Sequence, residues 1–170
     1  MKRKTVRAIL KFIKRPSLIC FLGLATVVFW EYWGKDMGMK EYLGREDIRV
    51  VDGDTIVANG EKIRLKGMDA PESQQKCSYG ENQQIKYLCG KEATNHLRKI
   101  IADQSLECTD EGKDLYGRTL SYCYVDGSNI NRKMVLDGWA VSYNKEFLAE
   151  ELIAMAGEKG MWKGEFEEPK

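Results

Sequence analysis

The stretch VVDGDTIVANGEKIRLKGMDAPE, Val50 to Glu72, constrains the fold more than any other part of the chain. Apolar and polar residues alternate on both sides of Asn59-Gly60, and this dipeptide between alternating segments is a strong signal for a tight hairpin turn. The sequence therefore predicts strands around Ile48–Val51, Thr55–Ala58 and Lys62–Met68.

The remainder of the chain continues with helix and strand patterns. The segment GKEATNHLRKIIADQ has apolar residues at helical spacing, and SNINRKMVLDGWA predicts a second helix with Ser128 as N-cap and Gly138 as terminator. A third helix is predicted from about Glu146 to Lys159, and further strands at 105–109, 118–125 and 140–143. About five short strands with three helices predict the α+β class and a five-stranded, partly open barrel of the OB-fold kind.

The N-terminal region predicts a membrane anchor. Residues 1–16 form a basic head without an acidic side chain, and residues 17–33 form an apolar run that ends in aromatic residues. A cationic head before an apolar run is typical of a secretory signal or a signal anchor, and the run is near the lower limit of about 17 residues for a transmembrane helix. Aromatic residues at its end fit a membrane interface better than a peptidase site, which favours an uncleaved, single-pass anchor. The positive-inside rule then places the N-terminus in the cytoplasm and the domain across the membrane, in a bacterial periplasm or at the extracellular face.

A polar linker, residues 34–46, leads to the predicted domain, residues 47–166, which is followed by the acidic tail 167–170. Residues 1–33 carry seven basic side chains and one acid, a net charge of +6, whereas the whole chain carries +1, so the remainder carries −5. A mildly acidic domain argues against indiscriminate binding of polyanions, which needs a broad basic surface. Any contact with nucleic acid must therefore depend on a local site.

Four cysteines follow the predicted anchor, and an even number in an exported domain is typical of a disulfide framework. No pair has the close C-x-x-C spacing of a zinc site. Four cysteines allow three connectivities, and four reduced thiols in a cytosolic domain are the alternative. In a hairpin centred between Leu115 and Tyr116, Cys108 and Cys123 would face each other, which would leave Cys77 with Cys89.

The acidic residues of the opening stretch differ in how well a turn explains them. Asp52 precedes Gly53, and the pair is interpreted as turn chemistry. Asp54 comes directly before a strand, where a turn no longer accounts for it. Asp69 and Glu72 flank a proline that ends a strand, so both carboxylates are expected at a strand-to-loop edge.

These acids could form a metal and phosphate site. Ca²⁺ prefers carboxylate and carbonyl oxygens, so Asp54 and Asp69 on neighbouring strands are candidate ligands. Arg64 and Arg118 could hold a phosphodiester and stabilise its developing charge, and Glu72 could take a proton from water. Two simpler interpretations remain open: a salt bridge between Arg64 and Asp69, and a solvated hairpin charge at Arg118.

Several motifs occur together in an order that resembles the thermonuclease, or staphylococcal nuclease-like, family. They cover roughly Asp47 to Phe166 and are VVDGDTI, IRLKGMDAPE, GKEAT, DLYGRTLSY, GWAVSY and GMWKGEF. The resemblance implies a five-stranded OB-fold barrel with three helices, a Ca²⁺ cofactor, and hydrolysis of phosphodiester bonds in DNA and RNA. It also implies a role for each matching residue: Asp54 and Asp69 as calcium ligands, Ala70 as a ligand through its backbone carbonyl, Arg64 and Arg118 as phosphate-contacting arginines, Glu72 as general base, and Tyr116 as an aromatic beside the bound nucleotide.

One departure from the family concerns Leu115, because some members have a lysine at that position. The insertion that holds Cys77 and Cys89 resembles exported bacterial members with extra disulfides.

Three functions remain as hypotheses. The first is a membrane-anchored, Ca²⁺-dependent endonuclease that is expected to be a monomer. It would act on single-stranded or locally melted DNA or RNA and contact the lipid bilayer through residues 17–33. The second is an OB-fold module, tethered to a membrane, that binds nucleic acid or protein without cutting. The third is an anchored assembly factor that uses the barrel only for contacts.

Overall fold

Residues 39–42, 48–102 and 104–169 are described by a computed structural model, and all of them except Met39 belong to one unit, Lys40–Lys170. The predicted basic head 1–16, the predicted anchor 17–33 and most of the predicted linker 34–46 lie outside the described residues. Within the described ranges, no helix has both the length and the apolar character that crossing a bilayer requires.

Short strands dominate the fold, and two of them form the predicted hairpin. Thr55 lies opposite Arg64 and Ala58 lies opposite Glu61, so the chain reverses at Asn59-Gly60 as expected. The described residues form thirteen strands: β1 Lys40–Tyr42, β2 Ile48–Val50, β3 Thr55–Ala58, β4 Glu61–Leu65, β5 Met68–Asp69, β6 Cys77–Tyr79, β7 Ile85–Tyr87, β8 Leu106–Cys108, β9 Thr119–Ser121, β10 Cys123–Val125, β11 Ser128–Asn129, β12 Val141–Ser142 and β13 Gly164–Glu165.

The predicted single barrel sheet is divided. In the described residues the strands pair in four sets, β2-β3-β4-β9, β1-β8-β10-β11, β5-β12 and β13-β6-β7, and no closed barrel is found. Two predicted strands, 62–68 and 118–125, are each interrupted, because Gly67 has a φ of 80° and Tyr122 separates β9 from β10. Each interruption passes the chain from one set of strands to another. The corners between these sets curve the strands around a common core.

Asn131 connects these corners. Its side chain is fully buried, and its amide nitrogen donates to the carbonyl oxygens of Lys66 and Ser121, each at 2.9 Å. Its Oδ1 accepts from the backbone nitrogen of Cys123 at 3.0 Å. The interrupted backbone therefore keeps its hydrogen bonds at a buried place, where an unpaired polar group would be costly.

Three α-helices lie in the described residues: α1 Cys89–Ile101, α2 Ile130–Leu136 and α3 Leu148–Ala156. The predicted N-cap of α2 is wrong by one residue, because the side chain of Asn129, not Ser128, accepts from the backbone nitrogen of Arg132. The third helix is shorter than predicted. A 3₁₀ turn, Tyr143–Lys145, contains positive φ at Asn144 and delays the start of α3.

Helix α1 packs against the loop that follows β5 without space for a side chain. A Cβ placed on Gly90 would lie 1.7 Å from the carbonyl oxygen of Glu72. Gly90 also donates its backbone N–H to the carbonyl of Gln75 at 3.4 Å. The absence of a side chain at this position therefore sets how closely the loop and the helix approach.

Most of the apolar residues form one core. The core contains residues from β3, β4, α1, α2 and the β8–β10 pair, and a smaller cluster surrounds Met161. A disulfide between Cys108 and Cys123, which lie opposite each other in the ladder, is part of the main core. A second disulfide, between Cys77 and Cys89, joins β6 to the first residue of α1. The pairing expected from the hairpin geometry is thus the one present in the structure.

Replacing Cys108 and Cys123 together by alanine should lower the free energy of unfolding by about 3 kcal/mol, because the bond closes a loop of 15 residues. Urea denaturation monitored by tryptophan fluorescence measures the loss. As a control, the free energies of unfolding of the variant and the wild type should differ far less once reductant has opened the disulfides of the wild type. An unchanged denaturation midpoint would contradict the expectation.

Candidate active site

The hairpin β3–β4 and the short strand β5 bring the predicted acids and Arg64 together. Asp54 immediately precedes β3, and its carbonyl accepts from the backbone nitrogen of Leu65 at 2.8 Å. Arg64 lies opposite Thr55 in the ladder, so its side chain starts beside Asp54. Asp69 ends β5, on the other side of the Gly67 corner. Asp69 and Asp54, which are five and ten positions from Arg64 in the sequence, therefore converge on its guanidinium.

Arg64 forms ion pairs with both predicted calcium ligands. Its Nη1 lies 2.8 Å from Asp54 Oδ2, and its Nη2 lies 2.5 Å from Asp69 Oδ1. The side chains of all three residues are mostly shielded from solvent. The salt bridge to Asp69 that the sequence left open is present, but it is one half of a bridge across two carboxylates.

Asp54 is the most buried of these acids, with 5% of its surface exposed. Its Oδ1 accepts from the Thr55 hydroxyl at 2.7 Å, and its Oδ2 accepts from the backbone nitrogen of Ala70 at 3.3 Å. Burial raises the pKa of Asp54, and the Arg64 charge opposes that rise without cancelling it. The ionised carboxylate is therefore held at a cost that a cation would reduce.

Asp52 has the turn role that the sequence predicts. Its Oδ1 accepts from the backbone nitrogen of Asp54 at 3.2 Å, which is the local bond that an aspartate forms in a turn. Burial and the nearby charge of Asp54 raise the pKa of Asp52. Asp52 therefore adds a further acidic group next to Asp54.

Glu72 differs from the other acids because its carboxylate is exposed and makes no hydrogen bond or ion pair with any other described residue. Only its backbone is held: its N–H donates to Gln75 Oε1 at 3.2 Å, and its carbonyl accepts from Gln75 N at 2.7 Å. The contact with Gly90 fixes the same carbonyl against α1. A rigid main chain thus carries a carboxylate that can accept a proton.

Arg118 is held by Asp114, across the turn that Gly117 permits with a φ of 78°. Arg118 Nε donates to Asp114 Oδ2 at 2.6 Å, and the Arg118 backbone nitrogen donates to Asp114 Oδ1 at 2.9 Å. The guanidinium also lies 5.5 Å from the centre of the Tyr116 ring. Arg118 is therefore not a freely solvated hairpin charge, and its terminal nitrogens remain available to a ligand.

One groove of about 940 Å³ contains most of the predicted site. Arg64, Asp69, Glu72, Tyr116 and Arg118 all line it. Asp54 and Ala70 are buried next to it and are joined to its wall through Arg64 and through the Ala70–Asp54 hydrogen bond. The structure thus brings the predicted residues to one place, while the individual roles that the family implies remain predictions.

Several residues of the groove were not singled out from the sequence. Asp114 had a detectable signal, since an aspartate three residues before a turn glycine commonly accepts backbone N–H groups of that turn. The others come from three separate stretches of the chain and were not predicted from the sequence: Lys62 and Lys66; Lys113; and Tyr143, Asn144 and Glu146. Of the three lysines among them, Lys66 pairs with Glu111 and Lys113 pairs with Glu61.

The donor set suits a hard divalent cation. In the described ranges, no three or more acidic, histidine or cysteine side chains are grouped so that they could hold a metal ion together. A metal here would therefore depend on two carboxylates, completed by main-chain carbonyl oxygen and water. The Arg64 guanidinium shows that these two carboxylates can face one cation, because it contacts Asp54 Oδ2 and Asp69 Oδ1 at once. Two oxygens that converge on one cation in this way can converge on another.

A sequence profile for the family described as "Staphylococcal nuclease homologue" matches residues 62–164. The chain is 32% identical over 122 residues to the succinoglycan biosynthesis protein ExoI of Rhizobium meliloti (strain 1021), a match that covers 68% of this chain and 63% of that protein. It is 36% identical over 143 residues to endonuclease YhcR of Bacillus subtilis (strain 168), covering 72% of this chain and 11% of that protein. It is 37% identical over 98 residues to the thermonuclease of Staphylococcus intermedius, covering 54% and 55%. The chain thus spans less than two thirds of each of these relatives.

Replacing Arg64 by glutamine should lower the free energy of unfolding by about 3 kcal/mol at neutral pH in the presence of a chelator, because it leaves two shielded carboxylates without their cation. The pKa of Asp54 is already raised by burial. A carboxyl group whose pKa is higher in the folded state contributes its full stabilisation at pH values below its unfolded-state pKa of about 3.9. This contribution is lost as the pH rises through the folded-state pKa. The deficit of the variant should therefore shrink as pH falls toward about 4.

Urea denaturation at both pH values measures this deficit. Arg49→Gln, at an exposed position on β2, is the matched control and should change the free energy of unfolding by less than about 0.5 kcal/mol. A deficit of equal size at both pH values would contradict the assigned electrostatic origin.

Proposed function

This chain belongs to the staphylococcal nuclease homologue family, and on that premise we propose that it is a Ca²⁺-dependent nuclease that hydrolyses phosphodiester bonds of DNA or RNA. The observation that carries the proposal is the grouping in a single groove of Arg64, Arg118 and the unpartnered carboxylate of Glu72. A module that only binds nucleic acid has a use for the two arginines but no chemical need for such a carboxylate.

The two arginines would bind the scissile phosphate. A guanidinium presents parallel N–H groups that match phosphate oxygens, and it stabilises the charge that grows on a five-coordinate phosphorus. Of the Arg118 guanidinium only Nε donates to Asp114, so its two terminal nitrogens remain available on a side chain that is held in place. Preorganised donors of this kind need little rearrangement during the reaction.

Glu72 would act on the attacking water. Four acids line the groove: Asp69 and Asp114 pair with arginines, and Glu146 accepts from the Tyr122 hydroxyl. Glu72 is the fourth, and its carboxylate has no partner among the described residues. A carboxylate without a partner is free to orient a water molecule and to take its proton. Its main chain, held by Gln75 and Gly90, keeps the proton acceptor at a fixed place in the groove.

Asp54, Asp69 and the backbone carbonyl of Ala70 would hold the calcium ion. A bound divalent cation supplies Lewis-acid stabilisation of the negative charge on the phosphate oxygens. The carboxylate of Asp54 is already fixed by the Thr55 hydroxyl and the Ala70 backbone nitrogen, so its orientation does not depend on the metal.

We further propose that the domain acts outside the cytoplasm, tethered to a lipid bilayer by residues 17–33 and working as a monomer on single-stranded or locally melted DNA or RNA. Two disulfides in the described residues support an oxidising compartment, because disulfides are rare in cytosolic proteins. The basic head followed by an apolar run supports the tether.

Arg64→Ala and Glu72→Ala should each lower the turnover of single-stranded DNA by about 100-fold or more, since each removes a charge-stabilising or proton-accepting group. Arg49→Ala and Glu81→Ala, which change the same residue types outside the groove, should retain near-normal rates. Circular dichroism checks that each variant is folded. If Glu72→Ala binds and cuts like the wild type, its assigned role is wrong.

Cleavage of single-stranded DNA at mildly alkaline pH should require Ca²⁺ and stop when a chelator is added. Calorimetric titration with Ca²⁺ tests the ligands without reference to activity, and Asp69→Asn should weaken binding by about tenfold or more because a neutral amide replaces a charged ligand. Asp126→Asn, at an exposed turn, is the control. Binding of DNA without any cutting would instead favour a non-catalytic module.

A further inference from the structure

A second cleft, of about 390 Å³, is lined in part by residues that are close in sequence to those of the candidate site. Its lining includes Val51, Ser73, Gln74, Lys91 and Arg98. We call it the basic cleft. None of these residues lines the larger groove.

The basic cleft adjoins the groove through two short pieces of chain. Val51 comes three residues before Asp54, and Ser73 directly follows Glu72. Glu72 faces the groove whereas the next two residues face the cleft, so the loop from Glu72 to Gln74 is the wall between them. The groove and the cleft are thus lined by consecutive residues of one loop, Glu72 on the groove and Ser73 on the cleft.

Helix α1 supplies the cations of the cleft and holds them near Glu72. Lys91 follows Gly90, the residue that touches the Glu72 carbonyl without space for a side chain. Arg98 lies seven residues further along the same helix, which places it about two turns away and on the same face. Its Nη2 donates to the carbonyl of Val50 at 3.4 Å, so it too is tied to the segment that leads to Asp54.

Neither cation is neutralised by an acid in the described part of the chain. Lys91 makes no hydrogen bond or ion pair there, and Arg98 donates only to the uncharged oxygens of Asn95 and Val50. Other basic residues do have acidic partners, including Lys66 with Glu111 and Arg132 with Glu150. The basic cleft is therefore a local positive site on a domain whose net charge is negative.

We propose that the basic cleft binds the phosphodiester backbone of the nucleic-acid strand beyond the scissile bond, through Lys91 and Arg98. The inference rests on the proposed nuclease function and extends it from one phosphate to a length of strand. The two side chains start about 10 Å apart along the helix, more than the spacing of about 3.4 Å per nucleotide in one strand of a duplex, so they meet different phosphates. Positively charged tracks of this kind are typical of OB-folds that bind single strands.

Two substrates separate the cleft from the groove: a dinucleotide, which fills the groove alone, and a single strand of about 20 nucleotides, which exceeds the usual OB-fold site size. The full chain is compared with Lys91→Glu, Arg98→Glu and Lys99→Glu. The last is the matched control, because it makes the same charge change at an exposed residue of α1 that does not line the cleft.

Lys91→Glu and Arg98→Glu should each raise the KM for the long strand by about fivefold, and each should reduce the slope of log affinity against log salt by about 0.7, the value for one lost phosphate contact on a single strand. All three variants should hydrolyse the dinucleotide like the wild type. Lys99→Glu should leave the long-strand KM within about twofold.

The proposal is overturned if Arg98→Glu and Lys91→Glu behave like Lys99→Glu on the long strand, or if they lose as much activity on the dinucleotide. A wild-type chain that cuts neither substrate would end the nuclease proposal. In that event fluorescence anisotropy with the same labelled strand, in chelator, still decides the cleft through the affinity and salt slope of the three variants.

Discussion

The bridge from Arg64 to Asp54 and Asp69 is the interaction on which the candidate site depends. It joins the start of β3, the middle of β4 and the end of β5, three places that the chain must bring together before any chemistry is possible. Two carboxylates that face each other in a shielded position repel, and a cation between them turns that repulsion into attraction. The same electrostatic demand makes the position suitable for a metal ion, so folding and the proposed binding of calcium would draw on one arrangement of charge.

Local signals explain why so much of this arrangement could be predicted from the sequence. Asn59 and Gly60 both have positive φ, the conformation that this dipeptide favours, and the hairpin they close places Thr55 opposite Arg64. The equal distance of Cys108 and Cys123 from the next turn likewise anticipates their position opposite each other in the ladder. In each case the residues that decide the geometry are close together in sequence, and the alternation of side chains along a strand determines which face each residue occupies.

Contacts between distant segments explain what could not be predicted. The corners at Gly67 and Tyr122 divide two strands that look continuous, and one side chain, Asn131, hydrogen-bonds to the main chain at both. Its contact with Lys66 spans 65 residues of sequence. Of the lysines of the groove, Lys62 and Lys66 come from β4 and the corner after it, whereas Lys113 comes from the segment before β9, so no short window of sequence contains all three. The delayed start of α3 depends on positive φ at Asn144, which the helical pattern of the following residues conceals.

The contact between Gly90 and Glu72 has a consequence for how this surface can evolve. With no clearance between the helix and the loop, a displacement of one is passed to the other undiminished. A methyl group at position 90 would push aside the main chain of Glu72, the residue proposed as proton acceptor, although the methyl group itself has no chemical role. Inactive descendants of such a chain could therefore arise through a change of shape alone, with every reactive side chain still in place.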